Sequence, residues 1–249
     1  MKKSSGALAL ILLLASCSSQ QASTAPESTT TPEASVLSAP EESTAEGSAP
    51  MSFEDVESGS GHLRAGAYVF HYSSIGGAEA FPTLAFTFTL PSSGWDRVLI
   101  DGLAWNDNGT RLGLAVVDNL YVDPCDPDLG VHNPPVGSSV DDLAAALGNV
   151  PGIEIKETGF DSYFGFPGVY VVLGGLADLS QCADGEARLA HALGFPGFIA
   201  APSEGDEHEL WILQVEGTRV IIHAASDADA SDAARAALKS VVDSIEIQA

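Results

Sequence analysis

Three aspartates lie close together in the run Asp-Pro-Cys-Asp-Pro-Asp, at Asp123, Asp126 and Asp128. Carboxylate oxygens are the ligands that Ca²⁺ prefers, so this density of acids is a candidate calcium site. The run lacks the spacing of an EF-hand and the bidentate glutamate that closes such a loop. Its two prolines are typical of a rigid, solvated loop, which is the alternative interpretation. No cofactor is expected.

A second candidate site is the run Tyr-Phe-Gly-Phe-Pro-Gly, which carries Tyr163, Phe164 and Phe166. Aromatic side chains on a glycine- and proline-rich loop line ligand clefts or form contact patches, so these three residues are a candidate ligand-contact loop. The alternative is an ordinary hairpin whose rings return to the core beside Trp95 or Trp105.

No arrangement of nucleophile and base points to catalysis. The histidines are scattered without a His-x-x-x-His pair, and no Gly-x-Ser-x-Gly motif occurs. Ser73 and Ser74 follow His71, but a serine hydrolase needs its hydroxyl, imidazole and carboxylate adjacent in space. We therefore expect no enzyme, with a secreted hydrolase as the least favoured alternative.

The N-terminus has the order of a bacterial export signal. Lys2 and Lys3 precede an apolar run over 7–14 that is too short to span a bilayer. The following Leu-Ala-Ser-Cys, ending at Cys17, resembles the bacterial lipobox, which implies diacylglyceryl transfer to the Cys17 sulfur and cleavage before it. The alternative is an ordinary secretory signal with an incidental cysteine. We predict a lipoprotein signal peptide over 1–16.

A disordered stalk is predicted after the anchor. Residues 18–50 are almost entirely Ser, Thr, Ala, Pro, Glu and Gln, without an aromatic residue. Such a segment buries too little apolar surface to offset its ordering entropy. We assign 17–60 to the lipidated cysteine and a disordered linker, and 61–249 to a single globular domain.

The other two cysteines, Cys125 and Cys182, form one pair in an exported region, which favours a disulfide. The chain-entropy model values the 58-residue loop that it closes at about 4 kcal/mol. Two free thiols of a redox or metal site are the alternative, but there is no Cys-x-x-Cys spacing.

The charge balance limits the partners. The chain has 10 basic residues against 34 acidic ones and a formal charge of −24. Nucleic-acid binding is excluded, because phosphate attraction dominates such affinity. The same sign excludes a basic clamp on anionic lipid, so membrane association requires the anchor on Cys17.

The elements that must position these residues are mostly strands. Alternating or apolar runs followed by turn sequences predict strands over 85–90, 111–117, 153–160, 169–173, 210–215, 219–224 and 245–247. A tight turn at 106–109 predicts a hairpin that includes 111–117, and the turn at 216–218 joins two more strands.

Helices are fewer. Ser139 is the predicted N-cap of a helix that ends at Gly148, and a second amphipathic helix is predicted over 231–243. A third, weaker helical pattern covers 186–193. An antiparallel sheet with two or three helices packed on one face buries all these apolar residues, which makes the fold class α+β.

The order of short motifs resembles an uncharacterised actinobacterial-type family of secreted or lipid-anchored proteins. The motifs are Leu-x-x-Gly-x-Tyr at 63–68, Leu-Pro and Gly-Trp at 90–95, Asp-Pro-Cys at 123–125, Gly-x-Ser-Val-x-Asp-Leu at 137–143, a second cysteine and Ser-Ile at 244–245. The layout is also similar to PsbP-like domains. The resemblance implies an extracytoplasmic location and a disulfide, and it implies no activity.

Together these patterns predict a non-catalytic protein at the outer face of the cell membrane, anchored through Cys17, that binds an unidentified envelope protein or a ligand. The first alternative is a carrier of a small apolar ligand or lipid, which requires a continuous cavity of a few hundred Å³ with the aromatic loop at its mouth.

Overall fold

A computed structural model describes residues 49–56, 62–72, 84–98, 102–105, 109–175, 180, 182, 187–193 and 198–249. The predicted signal peptide, Cys17 and most of the predicted linker lie outside these residues. Glu46–Ala249 forms one compact unit. No helix among the described residues is both long and apolar enough to cross a membrane.

The described residues contain fourteen strands and two α-helices. The first seven strands are β1 (Met51–Ser52), β2 (His62–Leu63), β3 (Gly66–His71), β4 (Ala85–Leu90), β5 (Trp95–Val98), β6 (Gly102–Trp105) and β7 (Thr110–Leu120). The others are β8 (Glu154–Tyr163), β9 (Phe166–Gly174), β10 (Arg188–Ala192), β11 (Phe198–Ala200), β12 (Glu207–Val215), β13 (Thr218–Ser226) and β14 (Glu246–Gln248). The helices are α1 (Val140–Leu147) and α2 (Asp232–Asp243), and a 3-10 turn covers Pro127–Leu129.

Two sheets organise these strands. The smaller sheet has the order β1-β3-β4-β14, and the larger, ten-stranded sheet has the order β2-β5-β6-β7-β13-β12-β9-β8, with β10 pairing with both β7 and β11. All pairings are antiparallel except that of β1 with β3. The α+β class is therefore confirmed, and so is the hairpin of β6 and β7, although residues 106–108 of its turn lie outside the description.

Alternate residues of the central strands enter two different cores. From β13, Ile222 packs into a cluster with α2 and the smaller sheet, whereas Ile221 packs into a cluster with α1. Successive side chains of a strand point to opposite faces, so the two clusters lie on the two faces of the larger sheet. The sequence predicts helices on one face, and the structure has one on each. Because β13 has apolar residues on both faces, each face must be buried against other elements.

The first core cluster is rich in aromatic rings. Phe53 packs edge to face against Tyr68, Phe70 and Phe88, and it is 2% exposed. This residue belongs to the segment that the sequence assigns to the linker, and β1 pairs with β3 just before it. The packed part of the chain thus begins before residue 61, because Phe53 is buried in the first core cluster.

The predicted helices α1 and α2 are confirmed, and α1 has its predicted N-cap. The Ser139 hydroxyl accepts a hydrogen bond from the Asp142 N–H, and Asp142 accepts from the Ser139 N–H, which completes a capping box. Ser231 likewise accepts from the Ala234 N–H at the start of α2. These bonds satisfy N–H groups that a helix N-terminus leaves without partners.

The predicted third helix over 186–193 is wrong. Arg188–Ala192 is strand β10, whose Ala190 and His191 lie opposite Leu120 and Asn119 of β7. Leu189 and Ala190 are both buried, so the segment packs on both faces. Pairing with a long central strand overrides the local preference for helix here.

Candidate functional site

The aromatic loop forms the tip of the hairpin of β8 and β9. Its turn residues, Phe164 and Gly165, have φ angles of 54° and 86°, a left-handed pair that matches the twist of a two-residue hairpin. The Tyr163 side chain lies over Gly159 of the same strand, where a Cβ atom would be only 2.9 Å from the Tyr163 hydroxyl. The hairpin alternative therefore describes the backbone of this loop.

The rings of the hairpin meet a tryptophan that the sequence did not select. Phe164 contacts Trp211 edge to face with 5.9 Å between ring centroids, and Tyr170 lies 5.2 Å from Trp211. Tyr163 lies 6.3 Å from Tyr170. We call Tyr163, Phe164, Tyr170 and Trp211 the aromatic shelf. All four side chains are half-buried, so part of each remains accessible.

The shelf rings also reach the core. Tyr163, Phe164 and Trp211 pack against the first core cluster, as does the half-buried Phe166, and the completely buried Trp95 belongs to that cluster. The side chain of Trp105 lies outside the description.

Carboxylates surround the shelf. The Tyr170 hydroxyl donates to Glu209 Oε2 at 2.6 Å. Burial raises the pKa of Tyr170, and the bond to Glu209 and the charges of Glu157 and Glu207 raise it further. Tyr170 is therefore a neutral hydrogen-bond donor at physiological pH. Burial and the charges of Asp161 and Glu157 also raise the pKa of Tyr163.

A groove of about 290 Å³ runs beside the shelf, between α2 and strands β12 and β13. The strand side is lined by Glu207, Glu209, Trp211, Ala224 and Ser226, and the helix side by Arg235, Ala236, Leu238, Lys239, Val242 and Asp243. An apolar floor with a few polar groups is typical of a ligand site, and the volume is at the lower end of the range for such sites.

The basic residues of the groove already have oxygen partners. Lys239 Nζ lies 2.7 Å from Asp243 Oδ2 one helical turn away. The Arg235 guanidinium donates to the carbonyl oxygens of Asp227 and Ala230, at 2.6 and 3.3 Å. The helix side of the groove is thus held in place by bonds within the chain.

The acidic loop next to the disulfide has a structural role. The carboxylate of Asp123 accepts a hydrogen bond from the Cys125 N–H at 2.8 Å, and Asp126 precedes the 3-10 turn that contains Asp128. Among the residues described, no three carboxylate, imidazole or thiol groups are placed to hold a metal ion. The sulfurs of Cys125 and Cys182 are bonded at 1.90 Å.

Two histidines that looked scattered in sequence are neighbours in the structure. His223 Nε2 lies 3.0 Å from His208 Nδ1, and both rings are buried. Burial lowers the pKa of His208 to about 3, the charge of Arg111 adds to this shift, and the backbone of Ala200 opposes it. Burial, His208 and Arg111 hold the pKa of His223 well below its ordinary value. Both imidazoles are therefore neutral at pH 7.

Two other described histidines lie beside carboxylates. His191 Nδ1 lies 2.7 Å from Asp118 Oδ1, and His71 Nδ1 lies 3.6 Å from Glu54 Oε1. Ser52 also donates to Glu54, so the carboxylate is the central group, whereas a serine hydrolase has the imidazole between the hydroxyl and the acid. Ser73 and Ser74 lie outside the described residues.

Several solved structures are similar to this chain. The solution structure of cyanobacterial PsbP (CyanoP) from Synechocystis sp. PCC 6803 matches with 12% identity and a TM-score of 0.36, covering 77% of this chain and 97% of that one. No family model and no curated protein matches the chain.

Sequence patterns missed most of the groove because its residues look like ordinary parts of their elements. Glu207, Glu209 and Trp211 alternate with the buried Leu210 and Ile212, as a half-buried strand requires. The proximity of His208 and His223 could have been predicted from the sequence. The hairpin turn at 216–217 sets the register of β12 and β13, and that register places 208 diagonally across from 223 on the same face.

Proposed function

We propose that this chain is a non-catalytic binding protein, anchored through lipid on Cys17 at the outer face of the cell membrane, whose ligand site is the groove between α2 and β12. The groove supports the proposal because it combines an accessible volume of about 290 Å³ with a half-buried tryptophan and apolar helix residues. The aromatic loop lies at this site, since Phe164 packs on Trp211, which lines the groove.

The lining favours a ligand with polar groups over the purely apolar cargo of the first alternative. Five of the eleven lining side chains are ionisable, namely Glu207, Glu209, Arg235, Lys239 and Asp243. Covering such groups with hydrocarbon alone removes water from charges and returns no hydrogen bond. The ligand therefore contacts apolar residues with one part and charged residues with another.

Filling the groove tests the binding site. Ala236 is exposed on α2 and lines the groove, so Ala236→Trp occupies the space without entering the core. Recovery of the protein from its native envelope, followed by mass spectrometry, is expected to yield a ligand with the wild type and at least about tenfold less with the variant. Ala233→Trp is the matched control, because Ala233 is exposed on the same helix and does not line the groove. Equal recovery from both variants contradicts the site.

Membrane fractionation tests the anchor. The Cys17→Ala chain has no thiol for diacylglyceryl transfer, so we expect it to leave the membrane fraction, whereas Cys125→Ala, which keeps Cys17, stays there. Two acyl chains at about 0.8 kcal/mol per buried methylene hold a protein stably on a bilayer. Unchanged fractionation of Cys17→Ala contradicts lipidation.

A further inference from the structure

The charged groups of the groove differ between its two walls. Glu207 and Glu209 point from the same face of β12, and neither makes an ion pair with a basic side chain in the described part of the chain. On the opposite wall Lys239 is paired with Asp243, and the Arg235 guanidinium is directed toward backbone carbonyl oxygens, which satisfy its N–H groups but leave its positive charge. The groove therefore presents unneutralised negative charge on its strand side.

The rings beside these carboxylates add to the attraction for a cation. Trp211 lines the groove and Tyr170 lies 5.2 Å from it, with its hydroxyl bonded to Glu209. The face of an aromatic ring carries negative electrostatic potential, and tryptophan binds cations most strongly. The chain already uses this contact elsewhere, where the Arg97 guanidinium lies 5.2 Å from the Phe53 ring centroid.

Other classes of ligand fit this lining less well. An anion meets Glu207, Glu209 and the negative charge of the whole chain, which is −24. A wholly apolar ligand strips water from Glu209 and offers it no counter-ion, which costs free energy. A cation with an apolar body avoids both costs, because Ala236 and Leu238 also line the groove.

We propose that the groove binds a small organic ammonium ion, with its cationic head between the carboxylates of Glu207 and Glu209 and the ring of Trp211. Its apolar part lies against Ala236 and Leu238 of α2. This inference rests on the proposed function and adds the chemical class of the ligand.

Two probes with the same shape and different charge show how much of the affinity comes from the ligand's charge. Choline carries a trimethylammonium group, and 3,3-dimethylbutan-1-ol replaces its charged nitrogen by carbon. Each is titrated by calorimetry into the full chain in a neutral maltoside detergent. We expect choline to bind at least about tenfold more tightly, since a partly desolvated contact between a cation and a ring contributes about 1 to 2 kcal/mol. Raising the salt concentration is expected to weaken only choline.

Glu209→Gln keeps an acceptor for Tyr170 and removes the charge, so choline affinity is expected to fall about tenfold while that of the alcohol stays constant. Glu246→Gln is the matched control, because Glu246 is exposed on β14 in the other sheet. If Glu209→Gln does not fold, Glu207→Gln replaces it, since Glu207 is exposed and its loss leaves the core intact. The Glu207→Gln variant is expected to bind choline severalfold more weakly than the wild type.

The outcomes separate this inference from the proposed function. Equal affinity for the two probes overturns the ammonium ligand and leaves the groove as a binding site for a neutral one. Binding of neither probe also overturns it, and the envelope recovery with Ala236→Trp then decides the proposed function independently.

Discussion

The two faces of the ten-stranded sheet are closed by different means. On one face, which we call the closed face, α1 packs on the sheet, and residues of β10 and β11 belong to the same core cluster. The Cys125–Cys182 disulfide borders this cluster, and Arg219 and the histidine pair are buried on this face. On the other face, α2 covers β7 and β13 but leaves a groove over β12. On the first face the buried Arg219 is bonded inside the chain, whereas on the second face Glu207 and Glu209 make no ion pair with a basic side chain among the described residues.

Arg219 is a buried charged side chain of the closed face that is bonded within the chain. Its guanidinium donates to the carbonyl oxygens of Val117, Asp118, Gly137 and Ser139, which ties β7 and the start of α1 to β13. Buried polar groups cost free energy unless they are bonded, and this side chain bonds four carbonyls at once. We therefore expect stability to depend on the closed face and binding to depend on the groove.

The largest expected effect on stability comes from the disulfide. Replacing Cys125 and Cys182 by alanine together removes the restraint on a 58-residue loop of the unfolded chain. We expect the free energy of unfolding, measured in urea, to fall by about 4 kcal/mol. The wild type with dithiothreitol is the control and is expected to match the variant. A loss below about 1 kcal/mol contradicts a disulfide that constrains the closed face.

Arg219→Met is the next test. The variant keeps much of the aliphatic length but leaves four carbonyl oxygens without their donor, so the free energy of unfolding is expected to fall by about 3 kcal/mol. Arg64→Met is the control, because Arg64 is exposed, and its effect is expected to stay within about 0.5 kcal/mol. If the two substitutions lower the free energy of unfolding equally, stability does not depend specifically on the bonds of Arg219 in the closed face.

The buried histidines make the closed face sensitive to acid. Their pKa values are lowered in the folded chain, so the unfolded chain binds more protons below its ordinary histidine pKa of about 6.5 and stability falls as pH falls. Between pH 6 and pH 5, above the range in which most carboxylates titrate, we expect a loss of about 2 kcal/mol from the pair.

Urea unfolding at each pH measures this loss, and the double variant His208→Gln/His223→Gln is expected to show most of it removed. His132→Gln is the control, since His132 lies outside the pair. An unchanged pH dependence in the double variant assigns the acid sensitivity to other groups.

The smallest effect on stability is expected in the groove. Glu207→Gln removes an exposed carboxylate that makes no ion pair within the described residues. The free energy of unfolding, measured by thermal unfolding, is therefore expected to change by no more than about 0.5 kcal/mol. A larger loss would mean that the groove wall supports the fold, and the contrast between the faces would disappear.

The strands and helices were predictable where local pattern and tertiary packing agree. The alternation Ala-Phe-Thr-Phe-Thr-Leu at β4 and the cap at Ser139 both appear as expected. The segment 186–193 was not predictable from its own residues, because β10 exists only through its pairing with β7, about 70 residues earlier in the chain.

The candidate site was predictable only in part. The aromatic hairpin was visible in sequence, but its partner Trp211 could not be distinguished from Trp95 or Trp105 without the register of β9 and β12. The helix wall of the groove comes from α2, and no local pattern shows that Ala236 faces β12 across a gap. Long-range packing therefore determines the groove, as it does β10.

A choline titration followed by NMR tests whether the groove over β12 binds an ammonium ion. In amide and indole spectra of the full chain, we expect the largest shift changes at the Trp211 indole and at Glu209 and Ala236. Changes centred on the closed face, or no saturable change at Trp211, would rule out this site.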